Sequence, residues 1–311
     1  MTTHFLRDDD LTPAQQREVL NLAQHLKANR HALQPLSGPQ GVAIIFDKPT
    51  LRTQLSFSVG VAELGGFPMV VDGKLAQIGT RESIADVARV LGRQVSAIVW
   101  RTYEQSRLEE MAQYAGVPVV NALTDDFHPC QILADLLTIE EHKGRLAGLT
   151  MTYLGDAANN MANSYLIGGA TAGLHVRIAG PSTHHPRDEI VQQASQIASV
   201  TGGSVRVGDD PEATVDGADV VITDTWVSMG QEAESGSRKG QGSPFAPFAV
   251  DTALLKRAAD DAIVLHCLPA YRGFEISDEV IEGPQSVVWD EAENRLHAQK
   301  ALLCHVLGAA R

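Results

Sequence analysis

Cysteine, aromatic residues and positive charge are all scarce in this chain of 311 residues. The three cysteines are an odd number at wide spacing and form no C-x-x-C pair, which argues against a disulfide framework and a structural zinc site. The 25 basic residues are outnumbered by 38 acidic ones, for a net charge of −13. This balance argues against a general binder of nucleic acid or anionic membranes, because phosphate groups require a basic face.

Long hydrophobic runs are absent too. No apolar stretch is long enough to span a bilayer, and the acidic start, MTTHFLRDDDL, lacks the apolar segment of a signal peptide. The sequence therefore predicts a cytoplasmic protein. What is present is a globular composition, with 44% hydrophobic and 20% charged residues, in a chain longer than one hydrophobic core usually supports. Two domains are the natural expectation.

Short runs rich in valine and isoleucine alternate with helical patterns along the chain. The predicted strands are GVAIIF, FPMVV, SAIVW, VPVVNAL, LTMTYLG, LHVRIAG, SVRVG, DVVITDTW, AIVLHCL and SVVWD. The predicted helices span residues 51–64, 82–92, 106–114, 129–143, 160–172, 188–200, 253–259 and 295–307. This alternation predicts two α/β domains of similar size, each with a parallel sheet flanked by helices, joined through helix 129–143.

The turn KPTLRTQ stands where the first strand hands over to a helix. Ligands of open parallel sheets bind outside the carboxyl ends of the strands. The first-turn N–H groups, the helix dipole, the hydroxyls of Thr50 and Thr53 and the guanidinium of Arg52 would together suit a phosphate. The alternative is a threonine N-cap among solvated charges, and the turn alone favours this alternative.

Other strand ends shift the balance toward an anion site. Arg101 follows AIVW, and His128 and Gln131 lie in FHPCQ at another helix start. Three separate donors of hydrogen bonds to anions or carbonyls would therefore meet at one edge of the first sheet.

A set of motifs resembles the aspartate/ornithine carbamoyltransferase family, and within it the ornithine branch. These motifs are KPTLRTQ, WRT, FHPCQILADLLT, GDAANNMANS, DTWVSMGQE, LHCLPAYRG and ENRLHAQKA, in this order along nearly the whole chain. The resemblance implies a carbamoyl phosphate-binding domain at 1–137, completed by helix 295–311, and an ornithine-binding domain at 138–294. It also implies an active site in the cleft between them.

The resemblance also implies a role for each matching residue. The carbamoyl phosphate ligands would be Thr50, Leu51, Arg52, Thr53, Arg101, His128, Gln131 and Arg295. The ornithine ligands would be Asn160, Asp224, Ser228 and Met229, with Cys267 and Leu268 near the reacting amine. Gln77 resembles the glutamine that a neighbouring subunit of a trimer inserts into the site. The residues implied in catalysis are Arg52, Arg101, His128, Cys267 and Arg295.

The family's phosphate turn is usually S-T-R-T-R, and this chain departs from it in two places. Leu51 replaces a hydroxyl residue, and Gln54 replaces a second arginine. The implied reaction is transfer of the carbamoyl group from carbamoyl phosphate to L-ornithine in arginine metabolism, with no metal and no cofactor. Putrescine or an acylated ornithine remains an alternative acceptor.

Three other functions compete with this interpretation. A nicotinamide enzyme is disfavoured because GDAANN lacks the G-x-G-x-x-G spacing and the next strand ends in Gly180 rather than an acidic residue. A cysteine-nucleophile amidohydrolase is disfavoured because His266 and Cys267 are strand neighbours that point to opposite faces. A relative that binds its ligand without catalysis stays open to a direct assay of phosphate release.

Overall fold

The computed structural model describes residues 2–227, 232–239 and 242–309. The chain divides into two units, the first made of residues 1–137 and 293–311 and the second of residues 138–292. Each unit contains one parallel sheet with helices around it, which confirms the predicted α/β class. Within the described residues, no helix is both long enough and apolar enough to cross a membrane.

The first unit is built on four parallel strands. They are β1 (Gly41–Phe46), β2 (Phe67–Asp72), β3 (Ala97–Arg101) and β4 (Val119–Leu123), in the order β2-β1-β3-β4. The helices in chain order are α1 (Pro13–Ala28), α2 (Arg52–Glu63), α3 (Gly73–Ala76), α4 (Ile84–Leu91), α5 (Gln105–Ala115) and α6 (Pro129–Lys143). The chain moves from β1 to β2 on one side and returns to β3 on the other, so the carboxyl ends of β1 and β3 flank a switch point.

The second unit has five parallel strands. They are β5 (Thr150–Leu154), β6 (His175–Ala179), β7 (Ser204–Gly208), β8 (Val220–Thr223) and β9 (Ile263–Leu265), in the order β7-β6-β5-β8-β9. Its helices are α7 (Asn160–Thr171), α8 (Asp188–Thr201), α9 (Pro211–Val215), α10 (Ser235–Lys239), α11 (Thr252–Leu255) and α12 (Asp278–Ile281). Here the switch point lies between the carboxyl ends of β5 and β8.

The last helix, α13 (Val288–Val306), corrects two sequence predictions. The segment SVVWD is not a strand, and the final helix begins at Val288 rather than at Arg295. Ser286 makes a single bridge to β9, and the helix then starts with Asp290 and Glu291 in its first turn, where the helix dipole favours negative charge. The helix predicted at 253–259 is also shorter than expected and ends at Leu255.

Candidate active site

The predicted phosphate turn, KPTLRTQ, connects β1 to α2. Helix α2 begins at Arg52, and its N-cap residue is Leu51, whose side chain makes no capping hydrogen bond and is 66% exposed. The alternative of a threonine N-cap is therefore wrong. The first-turn N–H groups of α2 have no carbonyl four residues earlier within the helix, so they and the helix dipole point into the turn.

A buried carboxylate fixes the strand ends beside this turn. Asp47 accepts hydrogen bonds from Trp100 Nε1 at 3.1 Å and from Thr102 Oγ1 at 2.6 Å. Its backbone N–H donates to the carbonyl of Arg101 at 2.9 Å. Gly73 approaches so closely that a Cβ there would lie 1.9 Å from Asp47 Oδ1. The ends of β1 and β3, and with them Arg101 and the turn, are thus held in one register.

Two guanidinium groups and one imidazole of the predicted site residues are buried in the first unit. Arg101, His128 and Arg295 each expose 5% of their surface or less, and Arg295 donates to Thr53 Oγ1 at 2.5 Å. Burial lowers the pKa of His128 well below its ordinary value, and the positive charges of Arg295 and Arg101 lower it further. His128 is therefore neutral at pH 7, so it can donate a hydrogen bond to a carbonyl oxygen while the arginines attract an anion.

Two further side chains, those of Cys130 and Gln131, lie in the first turn of α6, shortly after His128 in sequence. Gln131 is fully buried and donates from Nε2 to Asp135 Oδ1 at 2.8 Å, a contact that orients its amide. The thiol of Cys130 donates to the carbonyl of Asn121 at 3.2 Å. Burial raises the pKa of Cys130, so this thiol is not a nucleophile at neutral pH.

The loop after α3 carries Gln77, which is exposed and has a left-handed backbone with φ of 50°. Arg107 anchors this loop by donating to the carbonyl of Ile78 at 2.7 Å. The same guanidinium donates to Thr102 Oγ1 at 3.0 Å and lies 3.6 Å from Asp47. Sequence reasoning missed Arg107, which lies on α5 outside every motif. It ties the Gln77 loop to the residues that support the phosphate turn.

In the second unit, Asp224 follows β8 and is buried. Its Oδ1 accepts a hydrogen bond from the thiol of Cys267 at 3.2 Å and from the backbone N–H of Thr225 at 2.7 Å. Burial raises the pKa of Asp224, although His266 and the Cys267 hydrogen bond act in the opposite direction. The half-buried Cys267 therefore stands against a carboxylate that can accept hydrogen bonds from an ammonium group.

Ligand atoms of Asp224, His266 and Cys267 lie within 4.8 Å of one another, a spacing that could hold a metal ion. Both ring nitrogens of His266 already have contacts, however, with Leu268 N at 2.9 Å and Glu275 Oε1 at 3.3 Å. Cys267 meanwhile donates to Asp224 rather than to His266. The folded arrangement thus serves hydrogen bonding, and it does not form the nucleophile–base pair of a cysteine hydrolase.

The remaining predicted residues are distributed around the carboxyl ends of β5, β8 and β9. Asn160 is the first residue of α7, and Leu268 lies in the loop after β9 with φ of 57°. Asp156, which follows β5, is ion-paired with Arg238 at 2.6 Å. Sequence reasoning missed Arg238 because no motif contains it. Ser228 and Met229 lie outside the described residues.

Each unit therefore carries a cluster of polar side chains, and the two clusters suit unlike ligands. The first has buried guanidiniums around a neutral imidazole and suits an anion, and the second has a carboxylate beside a thiol and suits a cationic group. Comparison with known proteins agrees with this division. Residues 3–141 match the carbamoyl-P binding domain of aspartate/ornithine carbamoyltransferases, and residues 147–306 match the Asp/Orn binding domain.

Whole-chain relatives support the same assignment. The chain is 62% identical to the ornithine carbamoyltransferase of Clavibacter sepedonicus over 307 residues, covering 99% of each chain. Among solved structures, it resembles the ornithine carbamoyltransferase of Pyrococcus furiosus with a TM-score of 0.94 at 43% identity, over 99% of this chain and 97% of that one. The enzyme from Gloeobacter violaceus gives a TM-score of 0.87 at 45% identity, over 98% and 99%. The chain belongs to the aspartate/ornithine carbamoyltransferase family.

Proposed function

We propose that this chain is an enzyme that transfers the carbamoyl group from carbamoyl phosphate to the side-chain amine of L-ornithine, giving L-citrulline and phosphate. The observation that carries the proposal is the buried group of Arg101, Arg295 and the neutral His128, in a chain whose relatives are named ornithine carbamoyltransferase. An anion with a carbonyl group fits two fixed cations and an uncharged donor.

The first unit would bind carbamoyl phosphate. The first-turn N–H groups of α2 would hold the phosphate, together with Arg52 and the hydroxyls of Thr50 and Thr53. Arg101 would span the phosphate and carbamoyl oxygens, and the carbonyl and amide of the carbamoyl group would meet Arg295, His128 and Gln131. Supporting this, Arg101 ends β3, Arg295 donates to Thr53 Oγ1 at 2.5 Å, and the charges of Arg295 and Arg101 help to lower the pKa of His128.

The second unit would bind ornithine. Asp224 would accept hydrogen bonds from the α-amino group, assisted by Asn160, Ser228 and Met229. Cys267 and Leu268 would lie beside the side-chain amine.

The reaction would need little acid–base work by side chains. The neutral amine attacks the carbamoyl carbon, a tetrahedral oxyanion forms, and phosphate leaves as an anion that can accept the proton. Arg52, Arg101, Arg295 and His128 would stabilise the developing negative charge, an effect worth several kcal/mol in comparable sites (~3 kcal/mol for one donor). Binding both substrates at once supplies the other large contribution to the rate.

We also propose that the enzyme is a homotrimer in which Gln77 reaches a neighbouring site. Supporting this, the N-cap Leu51 and residues Leu55 and Val59 of α2 are exposed at four-residue spacing. The edge strand β2 exposes Phe67 and Met69 as well. Exposed apolar surface of this kind marks protein interfaces. Light scattering gives the mass. Mixing inactive Gln77→Ala and Arg52→Ala chains should restore turnover only if sites are shared.

A cytoplasmic role in arginine metabolism completes the proposal. Cys130, Cys267 and Cys304 form no disulfide, as expected in a reducing compartment. The decisive test of the reaction is citrulline release from carbamoyl phosphate and ornithine, with putrescine and N-acetylornithine as competing acceptors. Preference for either competitor, or phosphate release without citrulline, would contradict the proposed acceptor.

A further inference from the structure

The loop that follows β9 is braced by a histidine whose tautomer the structure fixes. The backbone N–H of Leu268 donates to His266 Nδ1 at 2.9 Å. An acceptor nitrogen carries no proton, so this hydrogen bond leaves the ring proton of His266 on Nε2, which faces Glu275 Oε1 at 3.3 Å. The backbone N–H of His266 donates to Glu291 Oε2 at 2.7 Å. The imidazole and its backbone are therefore fixed from three directions.

Glu275 closes the same loop from its far end. It exposes no surface, and its Oε1 accepts the backbone N–H of Tyr271 at 2.5 Å as well as facing His266. Its other oxygen, Oε2, is buried and has no hydrogen-bond partner among the described residues. Burial of a carboxylate oxygen without a hydrogen bond is costly, so its retention calls for a reason beyond packing.

The segment held by this brace has an unfavourable backbone. Leu268 has φ of 57°, in the left-handed region that side chains with a Cβ rarely occupy. The N–H of Leu268 donates to His266 Nδ1, and this hydrogen bond holds Leu268 in this conformation. Cys267 lies between His266 and Leu268, and its thiol reaches Asp224 at 3.2 Å. The position of the thiol therefore depends on the brace.

We propose that His266 and Glu275 are positioning residues for the ornithine site of the second unit, because they hold Cys267 and Leu268 in place beside Asp224. The inference rests on the proposed function, and it assigns these two residues to ornithine rather than to carbamoyl phosphate. Neither residue touches the substrate in this account. Each acts through the loop between them.

Three variants separate the two contacts of the imidazole. His266→Asn keeps an acceptor for the N–H two residues later, because an asparagine forms this bond in an Asx turn, but it is too short to reach Glu275. His266→Ala removes both contacts. Glu275→Gln keeps an acceptor oxygen at nearly the same size. We expect His266→Ala to raise the KM for ornithine about tenfold or more, as for loss of a buried hydrogen bond, and the other two to stay within about threefold.

The experiment compares the effect of each variant on the KM for ornithine with its effect on the binding of carbamoyl phosphate. Calorimetry should give His266→Ala a dissociation constant for carbamoyl phosphate within about twofold of the wild-type value, and an unchanged Tm shows that the second unit of this variant is folded. Glu275→Ala also removes the acceptor of the Tyr271 N–H at the far end of the loop, and it provides a second route to the loss if His266→Ala does not fold. An unchanged KM for ornithine, or equal weakening of both substrates with a lower Tm, would overturn the inference while the proposed function stands. Absence of citrulline from the wild-type enzyme would overturn the proposed function and this inference with it.

Discussion

A buried ion pair between α2 and α13 offers the sharpest test of the energetics of the first unit. Lys300 exposes no surface, and its Nζ donates to Glu63 Oε2 at 2.7 Å and to the carbonyl of Arg30 at 2.5 Å. The guanidinium of Arg30, which is half exposed, also pairs with Glu63. The Lys300 stem packs where a Cβ on Gly60 would be only 3.1 Å away. The pair therefore joins two helices that carry proposed site residues.

The two single substitutions should differ in cost. Glu63→Leu leaves the fully buried ammonium of Lys300 without a counterion, which should cost about 3–5 kcal/mol. Lys300→Met removes both hydrogen bonds of the ammonium but leaves a carboxylate that keeps Arg30, so we expect a smaller cost of about 1–3 kcal/mol. The double variant replaces the pair by apolar side chains of similar volume and should lie within about 1 kcal/mol of the wild-type protein.

A double-mutant cycle on thermal midpoints checks this prediction. In a unit of this size, 3 kcal/mol corresponds to a Tm shift of roughly 6–12 °C, well above experimental error. The chain has two units, so the same transition must be compared in all four proteins. A double variant as unstable as Glu63→Leu, or a Lys300→Met variant less stable than Glu63→Leu, would refute the reasoning.

The same pair gives a pH dependence with a definite sign. Burial acts to raise the pKa of Glu63, but hydrogen bonds from Arg30 and Lys300 outweigh it and leave this pKa below the ordinary value. A carboxyl group with a lowered folded pKa stabilises the protein above its unfolded pKa, and this contribution is lost as pH falls through the folded pKa. The stability gap between wild type and Glu63→Gln should therefore be full at pH 7 and shrink below about pH 4, as denaturation midpoints would show.

Further predictions concern turnover. Arg52→Ala should cripple citrulline release, whereas Gln54→Arg should stay within roughly tenfold, or about 1.4 kcal/mol; a harmless Arg52→Ala would mean that the phosphate turn is misplaced. Arg107→Met should lower kcat/KM for carbamoyl phosphate about tenfold by releasing the Gln77 loop, with the exposed Arg89→Met as control; equal effects of the two would exclude anchoring. The turnover number should rise from pH 6 to 9 as bound ornithine loses a proton, and a flat profile with chemistry rate-limiting would contradict attack by the neutral amine. Cys267→Ser should keep most of the turnover, because a hydroxyl can still donate to the neighbouring carboxylate, and a trapped acyl-enzyme would disprove this role.

Strands such as β1, β3 and β4 were predictable because buried parallel strands are short apolar runs with abrupt polar ends. The bounds of β1 follow GVAIIF residue for residue, and α6 has the predicted limits. SVVWD has the same composition, but its terminal acidic residue is followed by another, and both fit a helix start better than a strand. Composition alone could not separate these two cases. Helix α1 went unpredicted although Thr12 and Gln15 form its capping box.

The residues of the candidate site were predictable only where a sequence motif contains them. Arg101, His128 and Arg295 stand in motifs, and the structure buries all three in the first unit. Arg107 could not be found in this way, because its importance lies in contacts with the carbonyl of Ile78 and with the residues that follow β1 and β3. Contacts of this kind depend on chain segments far apart in sequence, so no local pattern contains them.

The close approach of Gly73 to Asp47 restricts what evolution can change near the phosphate turn. Every single-base change that alters this residue adds at least a Cβ, and any Cβ would overlap the carboxylate oxygen 1.9 Å away. Gly208, at the end of β7, has no neighbour within 4 Å of a Cβ and no positive φ, so it can accept a side chain. A saturation library under selection for citrulline formation should drift freely at residue 208 and return glycine at residue 73. Selection is then stricter at the glycine whose backbone meets a buried carboxylate.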